Sequence, residues 1–105
     1  MTIYRLKTPK EGEIKKEGNY TYKFINGDWR EIHYKDNKFE SWHEYDNKGN
    51  EIHYKNNNGL ESWREHDNKG HLIHYKNSNG IERWYDDKGK KITEEEFNRI
   101  WEKVE

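Results

Sequence analysis

The side chains with chemical potential in this 105-residue chain are six histidines, a recurring Asp-x-x-Gly, and glutamates spaced along a repeated pattern. Imidazoles gathered within a few ångströms could hold zinc, which takes N and S ligands in a tetrahedron. Asp-x-x-Gly, at 46–49, 67–70 and 86–89, could open a calcium loop, but such a loop needs many more oxygens in register. A pair such as Glu61 and Glu65 has the chemistry of a general acid and base, provided that a pocket desolvates it. Gly-rich phosphate loops, a nucleophile elbow and His-Glu-x-x-His are all missing from the sequence. There is no cysteine, so no disulfide and no thiolate metal site.

What these groups can do depends on the elements that carry them. Trp42, Trp63 and Trp84 stand 21 residues apart, each inside a copy of one phrase. The clearest copy runs from Leu60 to His66, turns through Asp67-Asn-Lys-Gly70 and continues from His71 to Lys76. A period this short fits one β-hairpin per copy, stacked into an open sheet. Alternation of polar and apolar residues predicts strands over 20–25, 30–35, 39–45, 50–55, 60–66, 71–76 and 81–86. The expected fold is mainly β with one α-helix: an antiparallel meander of about seven strands, with an amphipathic C-terminal helix on one face. The chain reads as a single domain, 1–105, with an N-terminal segment (1–19), the repeat meander (20–92) and the helix (93–105). Ile3 to Leu6 is expected to form a short first strand. The shorter turn Asp36-Asn-Lys38 lacks glycine, so Asn37 or Lys38 is expected to take a left-handed conformation.

Thr93 and Glu96 have the spacing of a capping box, Ile92 and Phe97 that of a hydrophobic staple, and Phe97, Ile100, Trp101 and Val104 form one stripe. Burying those four side chains would stabilise the fold by roughly 6–10 kcal/mol. Deleting 93–105 is then expected to unfold or aggregate the protein.

Turn lengths assign the faces. A glycine-bulge turn at 67–70 and a four-residue turn at 77–80 place Trp63 opposite Tyr75 and Trp84 opposite Ile73. The same count pairs Trp42 with Tyr54 and Ile52 with Trp63. One face then collects aromatic residues, Tyr34, Trp42, Tyr54 and Trp63 among them, with interleaved glutamates. The other collects His43, His53, Lys55, Arg64, His74, Lys76 and Arg83. This basic face is the first candidate for partner binding, and the four aromatics are the alternative. On it only His43 and His53 stand opposite each other, too few for a metal site, and a flat sheet has no catalytic pocket. No cofactor, no metal and no enzymatic activity are expected. The aromatic row reads equally as a core beneath the helix. Yet seven strands span about 30 Å, and one short helix cannot cover them all.

Composition adds limits. Hydrophobic residues make up 29% of the chain and charged residues 39%, which points to disorder were it not for 15% aromatics in strict periodicity. The net charge of -1 gives no overall attraction to nucleic acid. The N-terminus has no apolar run of signal-peptide or membrane-span length, so a soluble, cytoplasmic protein with no membrane partner is expected.

The phrase Trp-x-x-x-Asp-x-x-Gly-x-x-Ile-His-Tyr-Lys-Asn-x-x-Gly-x-x-x-Trp, at 63–84 and with small changes at 42–63, resembles the aromatic hairpin repeats of small bacterial and phage proteins. These are similar to MORN-type repeats and to MORN-like antitoxins, over residues 20–92. The chain departs from the usual MORN phrase, which has more glycines and a Tyr-x-Gly core, so lipid binding does not carry over. The resemblance implies a β-meander used for protein contact. The expected function is non-enzymatic: stoichiometric inhibition of a bacterial effector protein by surface occlusion, in the manner of an antitoxin or of a phage antidefence protein such as an anti-CRISPR. A nuclease or its RNA-bound complex is a candidate partner. Direct binding of single-stranded RNA and a structural or homodimerisation role are the alternatives.

Overall fold

The computed structural model describes residues 1–103. Nine antiparallel strands follow one another in chain order: β1 (Ile14–Glu17), β2 (Tyr20–Ile25), β3 (Asp28–Lys35), β4 (Glu40–Tyr45), β5 (Glu51–Asn56), β6 (Glu61–His66), β7 (Leu72–Asn77), β8 (Glu82–Tyr85) and β9 (Lys91–Ile92). Among the described residues one helix, α1 (Glu94–Ile100), follows β9. The fold is therefore the expected meander with a C-terminal helix, an open sheet and not a barrel. Its first strand lies at 14–17, whereas Ile3 to Leu6 carries no regular structure and is exposed. Ile14-Lys-Lys-Glu17 lacks the alternation that marks the other strands, and Ile3 to Leu6 has no neighbour to pair with.

The hairpin turns explain the repeat. In Asp46-Asn-Lys-Gly49 the Asp46 carboxylate accepts from the backbone N–H of Lys48 and Asn50, at 3.0 and 2.9 Å, and Gly49 takes φ 88°. Asn56-Asn-Asn-Gly59 does the same: the Asn56 side-chain oxygen accepts from Asn58 and Leu60 at 2.9 and 3.2 Å. Both close with the five-residue geometry of a type I turn plus glycine bulge. The short Asp36 turn is held by carboxylate bonds from the N–H of Lys38 and Phe39. Neither Asn37 nor Lys38 is left-handed; Asn26, φ 48°, is the one non-glycine residue with positive φ among the described residues.

Two one-residue effects overturn the expected register. The Asn turns close like the Asp turns, with three residues between the paired ends and not four. In addition, Ile32, Ile52 and Ile73 are each an extra, unpaired residue in their strand, between Glu31 and His33, Glu51 and His53, and Leu72 and His74. Beside the turn the expected pairing holds, with His66 opposite Leu72, but past Ile73 it slips so that Glu65 faces His74 and Trp63 faces Lys76. Likewise Trp42 faces Lys55, His53 faces Trp63, and Trp84 faces His74. Because side chains alternate with period two, each slip moves a whole set of residues to the other face.

The sheet is one layer thick over most of its length. The molecule measures 64 × 41 × 22 Å with a radius of gyration of 17.8 Å, against about 13 Å for a compact domain of this size. Ile25, 6% exposed, is the one buried hydrophobic side chain among the described residues. Helix α1 has the expected capping box, Thr93 with Glu96, but it is shorter than 93–105 and none of its residues is buried. Phe97 and Trp101 reach the sheet, Ile100 is half exposed, and Val104 lies outside the described residues. The large stabilisation expected from a buried stripe is not there. Among the described residues no helix is long and apolar enough to cross a membrane.

Candidate functional site

The bulges build two faces unlike those expected. His33, His53 and His74 share a face with Trp42, Trp63 and Trp84, with Lys35, Lys55 and Lys76, and with Glu40, Glu44, Glu61, Glu65 and Glu82. The opposite face carries Tyr34, Tyr54 and Tyr75 with His43, Arg64, Arg83, Ser41 and Ser62. The expected basic face is thus divided: His53, Lys55, His74 and Lys76 lie with the tryptophans, and His43, Arg64 and Arg83 with the tyrosines. The expected aromatic face is divided in the same way, Trp42 and Trp63 from Tyr34 and Tyr54. His43 and His53 do not stand opposite each other; His43 faces Tyr54.

On the tryptophan face one unit recurs three times. An imidazole lies against the indole of the next strand: His33 tilted by 30° against Trp42 and His53 stacked on Trp63, each at 5.7 Å between centroids, and His74 stacked on Trp84 at 5.6 Å. His53 lies between Glu44 and Glu61, its two nitrogens each 2.6 Å from a carboxylate oxygen. His74 lies between Glu65 and Glu82, at 2.6 and 2.8 Å. A ring with carboxylates at both nitrogens donates from both, so the charged form is favoured. The hydrogen bond to Glu44, joined by Glu61, raises the pKa of His53. For His74 burial pulls the pKa down, but Glu65 and Glu82 outweigh it and the net shift is upward. A charged imidazole over an indole also gains from the ring's quadrupole.

These glutamates were expected to sit among the aromatics as loose acidic charge. The structure makes them partners of histidines, an arrangement hidden until the isoleucine bulges put both on one side. The signal available in the sequence was the fixed spacing of Glu61 before Trp63 and Glu65 after it, with His53 and His74 at matching offsets.

The tyrosine face packs differently. Ser41 and Ser62, 3% and 4% exposed, are buried on a one-layer sheet, flanked in register by Tyr34 and Asn56, and by Tyr54 and Asn77. The small serines leave room for their large neighbours to cover them. Asn56 and Asn77 donate to the hydroxyls of Tyr54 and Tyr75 at 3.1 Å. The Arg64 guanidinium sits over Tyr75, 4.9 Å from its centroid, and pairs with Glu51 at 3.1 Å. His43 lies between Glu51 and Glu31, at 3.2 and 3.1 Å, and the Glu51 hydrogen bond raises its pKa against the pull of burial. The Tyr45 hydroxyl donates to the Glu31 carbonyl at 2.7 Å; burial and then the charges of Glu51 and Glu31 push its pKa up to about 12.

A shallow open concavity of about 600 Å³ lies on the tryptophan face, with Ile25, Ile32 and Trp42 among its lining and Lys23 and Lys55 at its rim. Among the described residues no group of three or more His, Cys, Asp or Glu is arranged to hold a metal ion. No family model, curated protein or solved structure matches the chain.

Proposed function

We propose that this chain is a non-enzymatic binding protein that acts by covering a surface of another macromolecule. The observation that carries the reading is the amount of surface held open. The accessible area is 8547 Å² for 13.0 kDa, against about 6,300 Å² for a compact monomer of that mass. Trp42 and Trp63, 37% and 41% exposed, lie within that surface, and large exposed aromatic patches are the usual ground of association. The resemblance to MORN-like antitoxins supports the narrower form of the proposal, stoichiometric inhibition of a bacterial effector in the cytoplasm, a nuclease or its RNA-bound complex among the candidates.

Affinity capture of the tagged chain from bacterial lysate, with and without nuclease, tests it. A protein retained at fixed stoichiometry after nuclease treatment is the expected result; RNA recovered with no such protein would overturn it. Single-stranded RNA binding is the second reading, favoured by Tyr75, which stands in register between Arg64 and the exposed Arg83. Phosphate-driven binding weakens steeply with salt, so a flat salt dependence excludes it. Reversing Arg64 and Arg83 to glutamate, compared with reversing Lys55 and Lys76, reports which face makes the contact.

A further inference from the structure

The third His–Trp unit shows what such a unit accepts. Phe97 of α1 lies against His74, ring centroids 5.8 Å apart, and Trp101, 6.4 Å from Phe97, donates its indole N–H to the Tyr85 carbonyl at 2.9 Å. Trp84, opposite Ile92, is half-buried, and Trp42 and Trp63, the same position in the other two units, are 37% and 41% exposed. The open units are continuous with this contact on the same face; His53 on Trp63 repeats its stacked geometry, and His33 on Trp42 is tilted by 30° with Glu40 as its one carboxylate among the described residues. The position facing the indole also differs. Ile92 faces Trp84, but Lys76 faces Trp63 and Lys55 faces Trp42. Both lysines are exposed and form no ion pair among the described residues, and Lys23 adds a third such cation beside the concavity at Trp42.

We infer that the two open units are a docking surface for an acidic amphipathic helix of a partner protein, which seats an aromatic side chain over the His–Trp pair as Phe97 does over His74. The inference rests on the reading of the chain as a binding protein and names the partner's chemistry. Helix α1 is itself acidic in its first turn, Glu94, Glu95 and Glu96, and the open units supply cations where its own seat has Ile92. Helix-in-groove recognition of this kind is read through aromatic or apolar anchors on one helix face. Self-association about one two-fold arrangement of this face is disfavoured. A two-fold axis in the plane of the sheet along the row of tryptophans would bring the lysine row onto the histidine row, and the row of Glu40, Glu61 and Glu82 onto Glu44 and Glu65.

The probe is a capped peptide of residues 91–103 added to the isotope-labelled full-length chain, followed by the indole N–H resonances. The expected result is movement of Trp42 and Trp63 with Trp84 unmoved, and weakening of binding by about tenfold or more for the Phe97→Ala peptide and for the Lys55→Glu/Lys76→Glu protein. Movement confined to Trp84 would mean exchange with the resident helix, and would overturn the inference. So would no movement up to about 1 mM peptide. Concentration-dependent broadening of Trp42 and Trp63 in the free protein, with a doubled mass, would assign the surface to a second copy instead. An oligouridylate that moves the same two indoles in a salt-sensitive way, where the peptide does not, would assign it to RNA. If the peptide fails while a captured protein is still lost on reversing Arg64 and Arg83, this inference falls and the general reading stands.

Discussion

His53 lies against Trp63 with its ring 21° from parallel to the indole, while Glu44 and Glu61 hold its two nitrogens. One imidazole thereby ties together β4, β5 and β6, and His74 does the same for β6, β7 and β8. In a sheet with so little apolar burial, these clamps take over part of the work that a core does elsewhere.

The clamps make stability fall as pH rises. The folded pKa values of His53 and His74 are raised, so their contribution is full below the unfolded value of about 6.5 and is lost as pH climbs through the folded values. Urea midpoints should therefore decrease as pH rises above about 6.5, and the slope should flatten in the His53→Gln/His74→Gln variant. A midpoint that is constant or rising over this window would contradict the assignment. On the acid side the His43 hydrogen bond, against the pull of burial, holds Glu51 below its ordinary pKa, joined by the charges of His43, Arg64 and His53. Its contribution is present above the unfolded carboxylate range and lost as pH falls through the depressed value.

Two turn glycines of near-identical backbone should respond differently to alanine. Gly49 and Gly59 have φ of 88° and 90°, so both substitutions incur the left-handed penalty of about 1–2 kcal/mol. A Cβ at Gly59 meets nothing within 4 Å, whereas at Gly49 it would lie 2.3 Å from the Arg30 guanidinium, itself bonded to the Ile25 carbonyl. Gly49→Ala should cost about 1 kcal/mol more than Gly59→Ala, the value of that hydrogen bond. Equal losses in chemical denaturation would show that Arg30 moves aside freely.

Ser62→Leu should destabilise by roughly 1–3 kcal/mol, as overpacking does in tight cores, although it adds an apolar residue to a one-layer sheet. The space above Ser62 is already closed. The same substitution at Ser78, an exposed turn position, should cost only the hydrogen bonds of its hydroxyl with the Glu61 N–H and the Gly59 carbonyl. Thermal melts of the two variants check the order.

A chain ending at Ile92 should keep its sheet. The helix contributes no buried residue, so the far-UV spectrum should remain that of β structure while emission from Trp84 shifts toward that of exposed Trp63. Collapse of the spectrum would instead mean that Phe97 and Trp101 hold the last strands in place.

Topology was readable because Asp-x-x-Gly and Asn-x-x-Gly mark every long hairpin from Asp46 onward, and alternation marks the strands between. The faces were not, because register depends on single residues. Asn56 and Asn77 use their side-chain oxygens as Asp46 and Asp67 do, and the shared spacing to glycine could have revealed that both turn classes close alike. The extra residues at Ile32, Ile52 and Ile73 leave no such mark, since a β-branched residue suits a strand and a bulge equally. The helix was legible in its cap and overestimated in its burial, because the backbone turns extended at Trp101.

Among the described residues the larger contacts run between consecutive strands, apart from those of α1 with β8. Each 21-residue unit therefore adds two strands and about 10 Å of width without asking any other unit to repack. Duplicating or losing one unit in the gene would change the reach of the protein in fixed steps, at little risk to folding. The span of target that it can cover is set by counting, as on a ruler, and can be tuned separately from what each interval recognises.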